Sequence, residues 1–457
     1  MRKSFLYVWY PFFVLAILFT AIKLHSLGIR ASDTNIYFYT AKELLLGKIL
    51  YKDIFFTNFP LIPYAAAFYY IVSGGNLLFY YFTATLEVIL TGGVLYWFTH
   101  YQTSSRLSAT LTSALYLFSF MILSTSDHQT GVFLAALFSL SSYILFQKKR
   151  YFLVGICVAL ALLTKAYTLP LLITYLVVLF LQNKKQLLTF IYGGVSAGGL
   201  ILLPSLLFAR QGLWRDVFMY SLTRSQGIQK NEIFWFILNH DFIFVLLLIS
   251  SLFLFRKQRF LSVFSLLSIL FFLVYKDVYY LYFNVTLPFL CLSSLPLIDE
   301  LKKHVSLNRF LFPTIGLVFI IYNLLTYFSG YANLQRLPIE NMLKTIKAEK
   351  PAYLYGVNGI TPALSYLSKT PLLNNLVDTN DNIFRKGYLR ADKLTQDAIN
   401  THALVITTGA WYPEAQVQED SLTDAVDKPL LQKYCSLSKR FLFHSEGIVN
   451  SVSFFRC

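Results

Sequence analysis

Runs of apolar residues as long as a bilayer is thick recur along this chain, and nothing else in it constrains the fold as strongly. A helical crossing needs about 20 such residues, within a range of roughly 17–25. By that measure eleven crossings are expected, beginning near Phe5, Leu77, Leu107, Gln129, Tyr151, Tyr167, Leu187, Asp241, Phe260, Tyr282 and Phe310. Backbone polar groups in lipid must be satisfied within their own segment, so these runs read as helices. The expected fold is a polytopic α-helical membrane protein. Composition agrees, because 56% of the 457 residues are apolar and only 14% charged, where a soluble domain has about 25% charged residues. The first run is too long and too aromatic for a cleaved signal peptide. The stretch Tyr151–Leu181 exceeds one crossing. Dividing it at Thr164-Lys165 keeps Lys165 out of the membrane centre, where a cation is costly.

Cations set the orientation. Arg2-Lys3, Arg106, Lys148-Lys149-Arg150, Lys184-Lys185, Arg256-Lys257 with Arg259, and Lys302-Lys303 with Arg309 all fall on one side under this count, which is therefore cytoplasmic. The net charge of +16 is then mostly topology. Dispersed over short loops, it makes no nucleic-acid-binding stripe. The expected location is the plasma (inner) membrane, multi-pass, with membrane lipids as neighbours.

The other, extracytoplasmic, side collects the polar chemistry. It holds the loop containing Asp33, the turn Ser124–His128, Lys165, the loop from Arg210 to Asn239, the turn Lys276–Tyr280 and everything after Tyr327. The division expected is a membrane domain over 1–328, with outer-surface loop helices at 30–63 and 210–239, and an extracytoplasmic α/β domain over 329–457. In that tail Glu340–Glu349, Pro362–Leu367 and Asp392–Asn400 read as helices. Ala352–Val357, Ala403–Thr407, Arg440–Phe443 and Val452–Phe455 read as strands. Cys157 and Cys291 fall within crossings and should be inert. Cys435 and Cys457 flank the last two strands. If those strands form a hairpin turning near Gly447, the two thiols approach and can bond on the oxidising side of the membrane; the alternative is two free thiols.

The loop Gly28–Pro63 is too polar to span and too patterned to be slack. Ser32 is placed to cap a helix with Asp33 in its first turn, and Gly47 is a good stop. The spacing of Ile36, Tyr39, Leu44 and Leu46 suggests an amphipathic helix on the membrane surface. Tyr51-Lys52-Asp53 and Pro60 follow. Asp33 can be merely a favourable charge at a helix start, or it can be a reactive carboxylate. The same choice applies elsewhere. Lys165 either snorkels to headgroups or binds a lipid phosphate. His128 is a polar turn residue or a substrate contact. Arg210, Arg215, Arg224 and Lys230 on an outer loop meet donor phosphate or anionic headgroups.

The order Asp33, Leu44-Leu45-Leu46-Gly47, Tyr51-x-Asp53, Pro60 resembles the first outer loop of the GT-C membrane glycosyltransferases. The likeness is to the branch with the protein O-mannosyltransferases and the lipid A aminoarabinose transferases. Asp127 matches a second acidic position of that family, Leu162-Leu163-Thr164-Lys165 resembles its "LTK" run, and Lys276 with Tyr279-Tyr280 before Pro288 is a partial match. Thr34 departs from the pattern, since many members carry a second acid there.

The resemblance implies an integral-membrane glycosyltransferase. It would move a hexosyl or pentosyl group from a polyprenyl-phosphate donor to a lipid, glycan or protein acceptor by inverting displacement. Asp33 would be the base, with Asp127 orienting the acceptor or Asp33. Lys165, Arg210, Arg215, Arg224, Lys276, Tyr279, Tyr280, Asp53 and His128 would bind substrate. No cofactor is required on this reading. A magnesium or manganese ion shared by Asp33 and Asp127 is the alternative. The competing class is a transporter or lipid-linked sugar flippase. Such proteins place charges at the midplane of repeated halves, and this chain shows no halves.

Overall fold

Apolar runs of this kind satisfy their backbones as helices, and the computed structural model is mostly helical. It describes residues 5–224, 229–255, 257–298, 308–332, 336–412, 417–419, 424–445 and 448–457. Arg2, Lys3, Arg256, Lys302 and Lys303 of the expected basic loops, and Gly447 of the expected hairpin turn, lie outside the described residues. Helix occupies every expected run: Phe5–Ser26, Leu77–Thr103, Arg106–Leu117 with Phe120–Thr125, Val132–Gln147, Tyr151–Thr164, Leu169–Gln182, Lys184–Phe208, Phe242–Phe253, Arg259–Val274, Leu287–Ser293 and Asn308–Thr326. Among the described residues three of these are long and apolar enough to cross a membrane unaided, and a fourth is counted if the pair Lys230–His240 and Phe242–Phe253, bent by 99°, is one span.

The chain forms two compact units. One comprises 1–27, 82–203 and 226–332; the other comprises 28–81, 204–225 and 333–457.

The first unit is a helical bundle with a continuous aromatic and aliphatic core running from Phe12 to Ala332. Its helices approach closely where side chains vanish. A Cβ on Gly155 would lie 2.0 Å from the Phe190 carbonyl oxygen, and one on Gly193 would lie 2.0 Å from that of Phe152. Small residues at such crossings are how helices pack in lipid. Breaks in the helices are capped from within. The buried Asp241 carboxylate accepts from the Ser119 hydroxyl, from the Met121 N–H at 3.0 Å and from the Phe244 N–H at 3.3 Å. It so satisfies the exposed ends of two helices at once. The expected break at Thr164-Lys165 is present, with Lys165 as the C-cap in extended conformation.

The second unit contains the small sheet. Strands β1 (Leu354–Gly356), β2 (Leu404–Tyr412), β3 (Val417–Glu419), β4 (Ser436–Ser445) and β5 (Ile448–Arg456) are ordered β1-β2-β5-β4, with β3 paired to β2. Strands β1 and β2 run parallel, Leu354 opposite Leu404; β2–β5 and β5–β4 are antiparallel. Helices Ile339–Glu349, Thr361–Ser368 and Ala391–Asn400 match the three expected in the tail. Cys435 and Cys457 are bonded, their Cα atoms 4.1 Å apart, because β4 and β5 do pair as an antiparallel hairpin, the first of the two alternatives the sequence left open.

The loop helix, Asp33–Leu45, corrects one expectation. It is buried on nearly every face, nine of its thirteen residues being inaccessible, and so is no half-exposed surface helix. Phe38 explains this. Its ring lies 5.0 Å from Tyr70, 5.1 Å from Tyr80 and 4.8 Å from Tyr366, between the neighbouring helix Leu61–Val72 and the tail helix Thr361–Ser368.

Candidate functional site

Asp33 stands at the start of this buried helix and is itself exposed. Ser32 caps the helix in extended conformation, accepting from the Thr34 N–H at 3.1 Å. The cap is fixed by the tail. The Ser32 N–H donates to the Gly359 carbonyl at 3.3 Å, and the Asn35 amide donates to the same carbonyl and to that of Arg30. The Tyr81 hydroxyl closes the group by donating to Asn35 Oδ1 at 2.9 Å. One carboxylate is thus left open at a rigid helix N-terminus.

A second carboxylate lies within its electrostatic reach. Asp378 is buried in the tail segment that follows the short helical turn Leu373–Asn375. Its Oδ2 accepts from the Thr57 hydroxyl at 3.3 Å and its Oδ1 from the Asn380 N–H at 3.1 Å. Burial, and next the charge of Asp33, push its pKa up to about 7; Asn380, Thr57 and Arg224 act the other way. Nothing local to residue 378 announces this, since Asp-Thr-Asn reads as an ordinary turn. The signal lies in contacts hundreds of residues apart.

The rest of the loop pattern is structural in large part. Asp53 is exposed and closes its own turn, accepting from the Ile49 N–H at 2.8 Å. The buried Tyr51 donates its hydroxyl to the Asn58 carbonyl at 2.6 Å. Arg215 bonds to buried Asp216 at 2.5 Å and lies over the Phe55 ring at 5.6 Å. Burial raises the pKa of Asp216, opposed by Arg215 and by the Phe56 N–H. Arg210 is exposed on the same segment, and Arg224 lies over Tyr220 at 6.0 Å. The same unit holds an apolar cavity of about 370 Å³, with Leu44, Leu45, Ile49, Tyr64 and Phe208 in its wall and Lys48 and Ser205 as its polar points.

The first unit holds the remaining expected residues. Asp127 is fully buried and pairs with Lys23 at 3.4 Å; His128, partly exposed, lies 3.8 Å from the same carboxylate. The Lys23 ammonium also donates to the Leu123 carbonyl at 2.8 Å and the Tyr327 hydroxyl at 3.1 Å. Lys165 is buried, so it does not reach outward to headgroups. Lys276 is exposed and Tyr279 and Tyr280 half-buried, with Tyr279 against Tyr282 at 5.7 Å and Tyr280 against Phe236 at 4.7 Å. Among the described residues no three His, Cys, Asp or Glu side chains group as metal ligands.

No family model and no curated protein matches the chain. Among solved structures it is similar to the crystal structure of ArnT from Cupriavidus metallidurans bound to undecaprenyl phosphate. That likeness covers 98% of each chain with a TM-score of 0.63 at 13% identity. At that identity it establishes the fold.

Proposed function

We propose that this chain is an integral-membrane glycosyltransferase that moves a sugar from a polyprenyl-phosphate donor to an extracytoplasmic acceptor. The observation that carries the reading is the open Asp33 carboxylate, rigidly mounted in a chain whose fold matches end to end that of a protein crystallised with a polyprenyl phosphate. Eleven crossings, with the Asp33 loop and the tail outside, belong to the same proposal.

The acceptor hydroxyl gives its proton to Asp33, and its oxygen attacks the anomeric carbon. The bond from that carbon to the phosphate oxygen breaks, and the electron pair leaves with the lipid phosphate. Attack opposite the leaving group inverts the centre. Guanidinium groups suit the departing phosphate, and Arg210 and Arg224 are assigned that role. Because cations alone can neutralise a phosphate monoester, the reaction is proposed to need no metal. The apolar cavity walled by Leu44, Tyr64 and Phe208 would take part of the prenyl chain.

Asp33→Asn removes the base with little loss of packing, since the Asp33 side chain is exposed. It should lower transfer by about 100-fold or more, the usual range for a general base, while donor binding is kept. Transfer within about threefold of wild type would remove Asp33 from the mechanism.

A further inference from the structure

Two carboxylates held in reach of one another rarely both ionise, and their surroundings decide which keeps the proton. Here the surroundings differ sharply. Asp33 is open, whereas Asp378 is 5% exposed. Both are anchored to one four-residue loop at the carboxyl end of β1. Thr379 donates its hydroxyl to the Gly356 carbonyl at 2.6 Å, which fixes Asp378, and the Gly359 carbonyl holds the cap of the Asp33 helix. The buried amide oxygen of Asn358, in the middle of that loop, has no hydrogen-bond partner among the described residues.

We propose that Asp378 is the positioning partner of Asp33, holding a proton beside the base so that the pair bears one negative charge while the acceptor is activated. This rests on the glycosyltransferase reading above. Asp33 acts on the acceptor, and Asp378 acts only through Asp33. The charged groups acting on Asp378 are Asp33, which favours its neutral form, and Arg224, which opposes it. Thr57 donates to the ionised form and opposes it as well. When the second proton leaves, a dianion stands beside the phosphate of the donor, and turnover falls. Sequence separation hides the arrangement, since residues 33 and 378 come within electrostatic reach only in the folded chain.

The test uses the full-length protein in detergent or vesicles. Infrared titration of the protonated-carboxyl band should show one group with a midpoint near 7. It should be absent in Asp378→Asn, displaced downward in Asp33→Asn and displaced upward in Thr57→Val, a milder change that keeps the fold. An unmoved midpoint in Asp33→Asn overturns the pairing, and this readout needs no turnover. In kinetics, kcat/KM of the wild type should fall as pH rises through the same midpoint. Asp378→Asn should lose that fall, and Asp378→Glu should restore it at a shifted pH. Wild-type and Asp378→Asn profiles that run parallel would make Asp378 merely structural and overturn the proposal. A wild type that transfers no sugar at any pH strikes the glycosyltransferase reading, while the infrared midpoints still decide whether the two carboxyls interact.

Discussion

Two carboxylates that look alike in the sequence have opposite surroundings in the fold. Asp33 is exposed at a capped helix start. Asp127 is fully buried against Lys23 at 3.4 Å. Removing one partner of a buried ion pair leaves the other charge stranded, which typically costs about 3–5 kcal/mol. Asp127→Asn should therefore lower the thermal midpoint and the yield of folded protein far more than Asp33→Asn does. The double variant Lys23→Met/Asp127→Leu should recover part of the loss, because an apolar pair carries no stranded charge. Equal stabilities for Asp33→Asn and Asp127→Asn would contradict the assignment. Asp33 was legible in the sequence through its cap and its place after the first crossing. Lys23 was not, because a lysine near the end of a first crossing reads as a snorkelling anchor. Its burial depends on Leu123 and Tyr327, which no local pattern connects to it.

At the scale of elements, the tail was the most legible region. Alternating apolar strands and periodic helices mark three helices and β1, β2, β4 and β5, because local periodicity decides them. The hairpin β4–β5 then brought Cys435 to Cys457, 22 positions apart in sequence. Closing a loop of that size stabilises by roughly 3 kcal/mol. Reductant should lower the tail's unfolding midpoint, and mass-tag labelling of the denatured chain should gain two reactive thiols after reduction; no gain would rule the bond out. The Asp33 helix was harder to read. Its apolar spacing suggested one buried face, yet Phe38 and its aromatic neighbours bury nearly all of it. Gly359 carries its attachment to the tail. This residue has φ +72°, and a Cβ there would lie 2.9 Å from the Ser32 nitrogen. Gly359→Ala should destabilise by about 1–3 kcal/mol and displace the Asp33 cap. Calorimetry and transfer rate should fall together, and a neutral Gly359→Ala would show that the cap does not depend on this contact.

For the whole molecule, the helical membrane class follows from hydropathy alone, since a chain with 14% charged residues and repeated apolar runs has few other solutions. What hydropathy leaves out is which segments share a core. Residues 28–81 and 204–225 pack with 333–457 in one unit, an association across hundreds of residues that periodicity does not encode. That unit contains Asp33, Arg210, Arg224 and Asp378. The proposed reaction breaks the bond between a sugar and a polyprenyl phosphate. The direct measurement is to reconstitute the purified protein in vesicles containing a polyprenyl-phosphate sugar labelled in the sugar, with envelope extract as the acceptor source. Free polyprenyl phosphate is expected, with an equal amount of label joined to acceptor in the inverted anomeric configuration. Labelled lipid-linked sugar that crosses intact to the other leaflet, with no polyprenyl phosphate released, would contradict that reaction and make the chain a flippase.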